Sequence, residues 1–88
     1  MARVTVLLPR MLAEAHGRER MEVGGASLRE ALEDLYRTAP ALRFHLCEET
    51  GRFRPHVLCL LNDERVFDPE TPLRDGDRIA FVQAISGG

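Results

Sequence analysis

The chain has 88 residues, 44% of them apolar, with 14 acidic side chains against 12 basic ones and a net charge of −2. That length supports one domain, which at this size buries roughly 60–65% of the surface of its unfolded chain, enough for one modest core without a disulfide staple. Every basic residue is an arginine, and the slight acidic excess argues against a general nucleic-acid binder. In chain order, Arg3 to Leu8 alternates, with Val4, Val6 and Leu8 on one side, and predicts a strand with one buried face that Pro9 ends. Met11 to Ala15 suits a short helical turn before Gly17. Arg20 to Val23 alternates again, as a second strand stopped by Gly24-Gly25. These two strands form a hairpin-like pair with an elaborated loop.

Ser27 opens a helix. Ser27-Leu28-Arg29-Glu30 fits a capping box, and Leu28, Ala31, Leu32 and Leu35 make one apolar stripe. Arg29, Glu33 and Arg37 lie four apart on the other side, where a Glu33–Arg37 pair adds roughly 0.2–0.5 kcal/mol. Pro40 stops the helix near Tyr36 or Arg37. Residues 41–56 are the least regular: Leu42, Phe44 and Leu46 suit either an irregular strand or a turn of helix. Val57–Leu61 is a clear strand, Asn62-Asp63-Glu64 a turn, and Arg65-Val66-Phe67 a short return. Pro69 and Pro72 mark a loop, Asp75-Gly76-Asp77 a turn, and Arg78 to Val82 the last strand. The expected fold is α+β: a mixed sheet of four to five strands with one main helix on one face, the layout of a β-grasp or ubiquitin-like domain. The domain is expected over residues 1–82 and a flexible tail over 83–88.

The longest apolar run, Val57–Leu61, is far short of a membrane span, and Met1 to Pro9 is too short and too alternating for a signal peptide. Two cysteines twelve positions apart make neither a disulfide framework nor a zinc knuckle. The expectation is a soluble cytoplasmic protein in a reducing compartment. Common catalytic signatures are absent: no phosphate-binding glycine loop and no serine, histidine and acid motif. His45 and Cys47 form an H-x-C pair, too few ligands for a metal site, and no metal is expected. Cys59 lies in an apolar strand and reads as a small buried hydrophobe. Arg43, His45, Arg52, Arg54 and His56 crowd one region. They suit an acidic partner, but solvated loop charge interleaved with Glu48 and Glu49 is the stronger reading.

The informative feature is Gly87-Gly88, the last two residues of the sequence. Six residues from Gln83 reach about 20 Å at roughly 3.3 Å each. Two residues without Cβ atoms can thread a narrow channel and present a carboxylate to a second enzyme. A carboxylate is a poor electrophile and must first be activated. The sequence has no ATP site, so that machinery belongs to a partner.

Pro72-Leu73-Arg74-Asp75-Gly76-Asp77-Arg78-Ile79-Ala80-Phe81 and Gly87-Gly88 resemble the MoaD/ThiS family, as does Leu58-Cys59-Leu60-Leu61-Asn62-Asp63-Glu64. That family comprises the small subunit of molybdopterin synthase and the sulfur carriers of thiamine and cysteine biosynthesis. The resemblance implies a carrier that is not an enzyme by itself, or the small subunit of a sulfur-transferring synthase. It implies that a ubiquitin-activating-like adenylyltransferase uses ATP on the Gly88 carboxylate. Sulfur then displaces AMP to leave a thiocarboxylate, which passes to a sulfur-accepting biosynthetic enzyme. No cofactor is expected on the chain itself, and neither nucleic acid nor membrane is expected as a partner.

The thiamine carrier is typically shorter, lacking most of residues 40–56. Pro40-Ala41-Leu42-Arg43 and Gly51-Arg52-Phe53-Arg54 look most like the cysteine-biosynthesis carriers, while the Pro-Leu-x-Asp-Gly-Asp turn suits the molybdopterin subunit equally. The tail departs from both in Ala84-Ile85-Ser86, which leaves a secondary-metabolite pathway open. Ile85, Ser86 and Gly87 are the threading residues, and Ala80 and Val82 are expected on an open, partner-binding sheet face. Two alternatives stand beside this reading: a protein modifier joined to lysines through Gly88, and a β-grasp interaction module without sulfur chemistry.

Overall fold

The computed structural model of the chain describes residues 2–83. Strand β1 (Ala2–Leu7) buries Val4 and Val6, as alternation demands. Helix α1 (Arg10–His16) follows Pro9 and buries Leu12 and Ala13. Strand β2 (Arg20–Gly25) runs antiparallel to β1, with Val4 opposite Val23 and Val6 opposite Met21. The glycine pair does not stop β2, which runs through both residues. Gly25 is instead a close-approach position. A Cβ built there stands 2.5 Å from the Ala31 nitrogen of the next helix.

Helix α2 (Leu28–Thr38) starts where the sequence places it. The Glu30 amide donates to Ser27 Oγ at 3.3 Å, and Glu30 Oε1 accepts from the Ala26 amide at 3.0 Å, one residue before the usual capping-box donor. The first helical amides find partners in the Pro69–Leu73 segment. Leu28 N–H donates to the Thr71 carbonyl at 2.9 Å and Arg29 N–H to that of Pro69 at 2.8 Å. A stretch that reads as a mere loop is therefore the helix's N-terminal cover. Leu28, Ala31, Leu32 and Leu35 are all buried against the sheet, each large side chain contributing roughly 1.5–3 kcal/mol. Arg37 pairs with Asp34 at 3.3 Å rather than with Glu33. The Asp34 carboxylate also accepts from the Gly24 amide at 2.9 Å, which holds it toward β2.

Helix α3 (Ala41–Leu46) settles the irregular stretch as a helical turn, with Leu42 and Leu46 fully buried and Phe44 71% exposed. The spacing used is four, and Phe44 has no part in the core. Cys47 and Phe53 then bridge, and the Phe53 ring packs edge-on against Phe81 with centroids 5.8 Å apart. Burial raises the Tyr36 phenol above its ordinary range, helped by its 3.2 Å hydrogen bond with Cys47 Sγ. Burial likewise pushes the Cys59 thiol up to about 12, with the nearby Cys47 adding to it. Both thiols are free and lie in the core, where a neutral thiol behaves as a small hydrophobe.

Strands β3 (Val57–Leu61), β4 (Glu64–Arg65) and β5 (Arg78–Gln83) complete a five-stranded mixed sheet in the order β2-β1-β5-β3-β4. β5 sits at the centre, parallel to β1 and antiparallel to β3. Asn62 and Asp63 form the β3–β4 turn with φ of 49° and 72°, the left-handed pair that a two-residue hairpin turn requires. β4 is shorter and one residue earlier than the alternation suggests. Val66 packs against the core, but Phe67 is 70% exposed. β5 also runs one residue further than expected: Gln83, read as the first tail residue, pairs with Val57.

Candidate functional site

The segment Pro72 to Phe81 carries the strongest family resemblance, and its side chains do structural work. Asp77 Oδ2 accepts from the Arg74 amide at 2.8 Å, closing the turn, and its Oδ1 accepts from Asn62 Nδ2 at 2.9 Å. Asn62 Oδ1 in turn accepts from the Arg78 amide at 2.9 Å. Asp75 Oδ1 accepts from the Arg3 amide at 2.8 Å, and the Gly76 amide donates to the Arg3 carbonyl at 3.0 Å. Gly76 has a φ of 89°, which a residue with a Cβ adopts only with strain. These bonds tie β1, the β3–β4 turn and the start of β5 together. They fix the central strand whose far end leads to the glycine tail.

The Asp77 carboxyl titrates below its ordinary 3.8, through the Asn62 hydrogen bond first and the Arg74 amide second. A depressed carboxyl stabilises the fold fully above its unfolded value, and that contribution disappears as pH falls through the folded value. Asp77→Asn is therefore expected to lower Tm at neutral pH, with the gap to the parent protein narrowing as pH falls below 3.8. Thermal melts of both proteins across an acid series check this. A gap that stays constant over that range would remove the titrating role.

β5 presents two faces. Ile79 and Phe81 are buried under α2, and Ala80 and Val82 point to the opposite side, as the alternation predicts. There Ala80 lies between Leu7 and Leu60, and Val82 lies opposite Leu58. Leu7, Leu58, Leu60 and Ala80 are half-buried, and Val82 is 42% exposed. Residues 41–56 do not cover this face, because Leu42, Leu46 and Phe53 pack on the helix side. Arg20 stands opposite Leu7 and Arg65 opposite Leu60, so arginines border the apolar row at both ends. The expected threading residues Ile85, Ser86 and Gly87, and the reactive Gly88, lie outside the described residues.

The arginine and histidine cluster divides. His45 meets His16 edge-on, with ring centroids 6.2 Å apart. Arg54 Nε donates to the Phe44 carbonyl at 2.8 Å. Arg52 and Arg54 line a groove with Arg65, a neighbour that no local spacing reveals. Among the described residues, no three His, Cys, Asp or Glu side chains gather as a metal site, and no helix is long and apolar enough to cross a membrane.

A single main helix packed across a mixed sheet, with β1 and β5 parallel at its centre, defines a ubiquitin-like β-grasp protein. The chain belongs to the ThiS family, whose model matches residues 6–88, and so to the MoaD/ThiS group of ubiquitin-like sulfur carriers and modifiers. Such a protein is a small carrier and not an enzyme in its own right. The chain is similar to small archaeal modifier protein 1 of Haloferax volcanii, at 27% identity and a TM-score of 0.85 over 99% of this chain and 100% of that one. It is similar to CysO in the Amycolatopsis orientalis BexX/CysO complex, at 27% identity and a TM-score of 0.84 over 97% and 99% of the two chains. Mycobacterium tuberculosis CysO gives 25% identity and a TM-score of 0.83 over 93% and 99%. No curated protein sequence matches the chain.

Proposed function

We propose that the chain carries sulfur as a thiocarboxylate on Gly88. The observation that carries this reading is the family match, which spans the domain and extends through Gly87 and Gly88. The Gly88 carboxylate attacks the α-phosphorus of ATP held by a ubiquitin-activating-like adenylyltransferase. Pyrophosphate leaves and an acyl adenylate forms. A sulfur nucleophile then displaces AMP, the carbon–oxygen bond to phosphate breaks, and the thiocarboxylate remains for transfer to a biosynthetic acceptor. The chain contributes the Gly88 carboxylate and binds no cofactor itself. ATP, sulfide and the purified chain alone are expected to give no change in mass. Adding the cognate activating enzyme is expected to exchange one oxygen for sulfur. Sulfur uptake by the isolated chain, or none with that enzyme present, would count against the reading.

The likeness to CysO, which in the Amycolatopsis orientalis structure is in complex with BexX, supports a protein partner for the carrier. The likeness to a small archaeal modifier protein favours a second reading, in which the same activated Gly88 joins substrate lysines. With no lysine in the chain, side-chain-linked polymers of it cannot form by that route.

In either reading, Ala80 and Val82 form the centre of the docking face for the activating enzyme. An apolar row that no described segment covers is typical of an interaction site. Val82→Arg places a charge on an exposed position, so the melting temperature is expected to hold. Affinity for the activating enzyme is expected to fall about tenfold or more, as for an anchor at an interface centre. Calorimetric titration measures it, and an unchanged affinity in the folded variant would rule this face out.

A further inference from the structure

A second surface carries an inference that does not rest on the sulfur-carrier reading. A groove of about 530 Å³ opens between the start of α2, the loop from Thr50 to Pro55 and the β4 edge. Leu28, Leu32, Val57 and Val66 are among its apolar lining residues, and Arg52, Arg54 and Arg65 are its basic ones. Arg65, in register with Leu60, stands at the β4 rim where the groove meets the open sheet face. Among the described residues, no acidic side chain lines it. That is a marked segregation in a chain with net charge −2.

The arginines are arranged to receive carboxylates. Arg65 lies over the Phe67 ring, its Cζ 4.7 Å from the centroid, a cation–π contact that tethers the side chain at the rim. Arg54 is held through Nε by the Phe44 carbonyl, which leaves its terminal nitrogens. Phe67, 70% exposed, offers an aromatic contact at the rim. We propose that this groove docks a short acidic segment of a partner protein, with one large apolar side chain in the groove and flanking carboxylates on Arg52, Arg54 and Arg65. A long polyanion such as nucleic acid suits it poorly. Glu48 and Glu49 precede the arginine loop, and Asp68 and Glu70 follow Phe67, so the positive strip is short.

The test uses the full chain and a fluorescein-labelled peptide, Asp-Glu-Leu-Phe-Asp-Glu-Glu. Its controls are the same peptide with Asn and Gln in place of the acids, and a short oligothymidylate. The acidic peptide is expected to move the amide resonances of Gly51 to Arg54 and Arg65 to Phe67. Arg52→Glu is expected to weaken binding about tenfold (~1.4 kcal/mol) at unchanged Tm, and added salt to weaken it further. Arg18→Glu, the same charge reversal at an exposed position before β2, at the far edge of the sheet, is expected to leave peptide affinity unchanged. The proposal is overturned by resonance changes absent from the groove, by equal binding of the neutral peptide, by preference for the oligothymidylate, or by Arg18→Glu matching the effect of Arg52→Glu.

Discussion

Deleting Gly88 is expected to abolish adenylation and sulfur uptake while leaving the melting temperature of the domain unchanged. The sheet and the core are built from residues 2–83, all of which the deletion leaves in place. The chemistry, by contrast, requires the carboxylate at one point in a partner's site, and removing one residue withdraws it by roughly 3.3 Å. Misplacement by about 1 Å already costs on the order of a hundredfold in rate, so no intermediate activity is expected. Gly87→Trp is expected to act in the same way, by blocking the channel rather than shortening the reach. Melting curves beside a thiocarboxylation assay separate the two effects. Normal sulfur uptake by the deleted chain would remove Gly88 as the reactive residue and favour a plain interaction module.

Gly25→Val is expected to do the opposite: to damage the fold first and the chemistry only through it. A Cβ at Gly25 meets the Ala31 nitrogen at 2.5 Å, the Glu30 carbonyl carbon at 2.8 Å and Glu30 Cβ at 2.9 Å. Two of those atoms are helix backbone and cannot rotate away, so α2 must lift from β2. Overpacking of this kind costs at least ~1–3 kcal/mol, and each kcal/mol lowers Tm by roughly 4–8 °C in a domain this size. Gly76→Ala is the matched control. Its Cβ meets nothing within 4 Å, and only its φ of 89° is strained, for about 1–2 kcal/mol. Thermal melts of the two variants check the order. A Gly25→Val protein as stable as the parent would show that α2 does not press on β2 as described.

These two glycines mark what the sequence could and could not disclose. Alternation in β1 and β5, the Ser27 cap and the Leu28 to Leu35 stripe are local signals, and the structure keeps all of them. Gly24-Gly25 reads locally as a stop, but the reason for Gly25 is a helix backbone pressed against it, a tertiary fact. Helix α3 was ambiguous because Leu42, Phe44 and Leu46 fit spacing two and spacing four alike. Only the depth at which Leu42 and Leu46 sit decides between them. Arg37 has carboxylates at both three and four residues' distance, and Asp34 wins because it is also held by the Gly24 amide.

The candidate site divides along the same line. The outward placing of Ala80 and Val82 follows from period two in one strand and was legible. That β5 occupies the sheet centre, with Leu7 and Leu60 beside Ala80, depends on strand order. The role of Asp75, Asp77 and Asn62 as a staple was hidden, because the bonds join segments up to 72 positions apart. Arg65 joins Arg52 and Arg54 only because β4 lies at the sheet edge beside the 50–55 loop.

The central claim is that Gly88 carries sulfur, and the intact mass of the chain isolated under non-reducing conditions from its native host tests it most directly. A thiocarboxylate raises the mass by the exchange of one oxygen for one sulfur, and alkylation at a single terminal site then follows. That is the result expected. A mass matching a second protein joined through Gly88 would replace the carrier with the modifier, and an unaltered carboxylate in cells with the activating enzyme present would contradict the account.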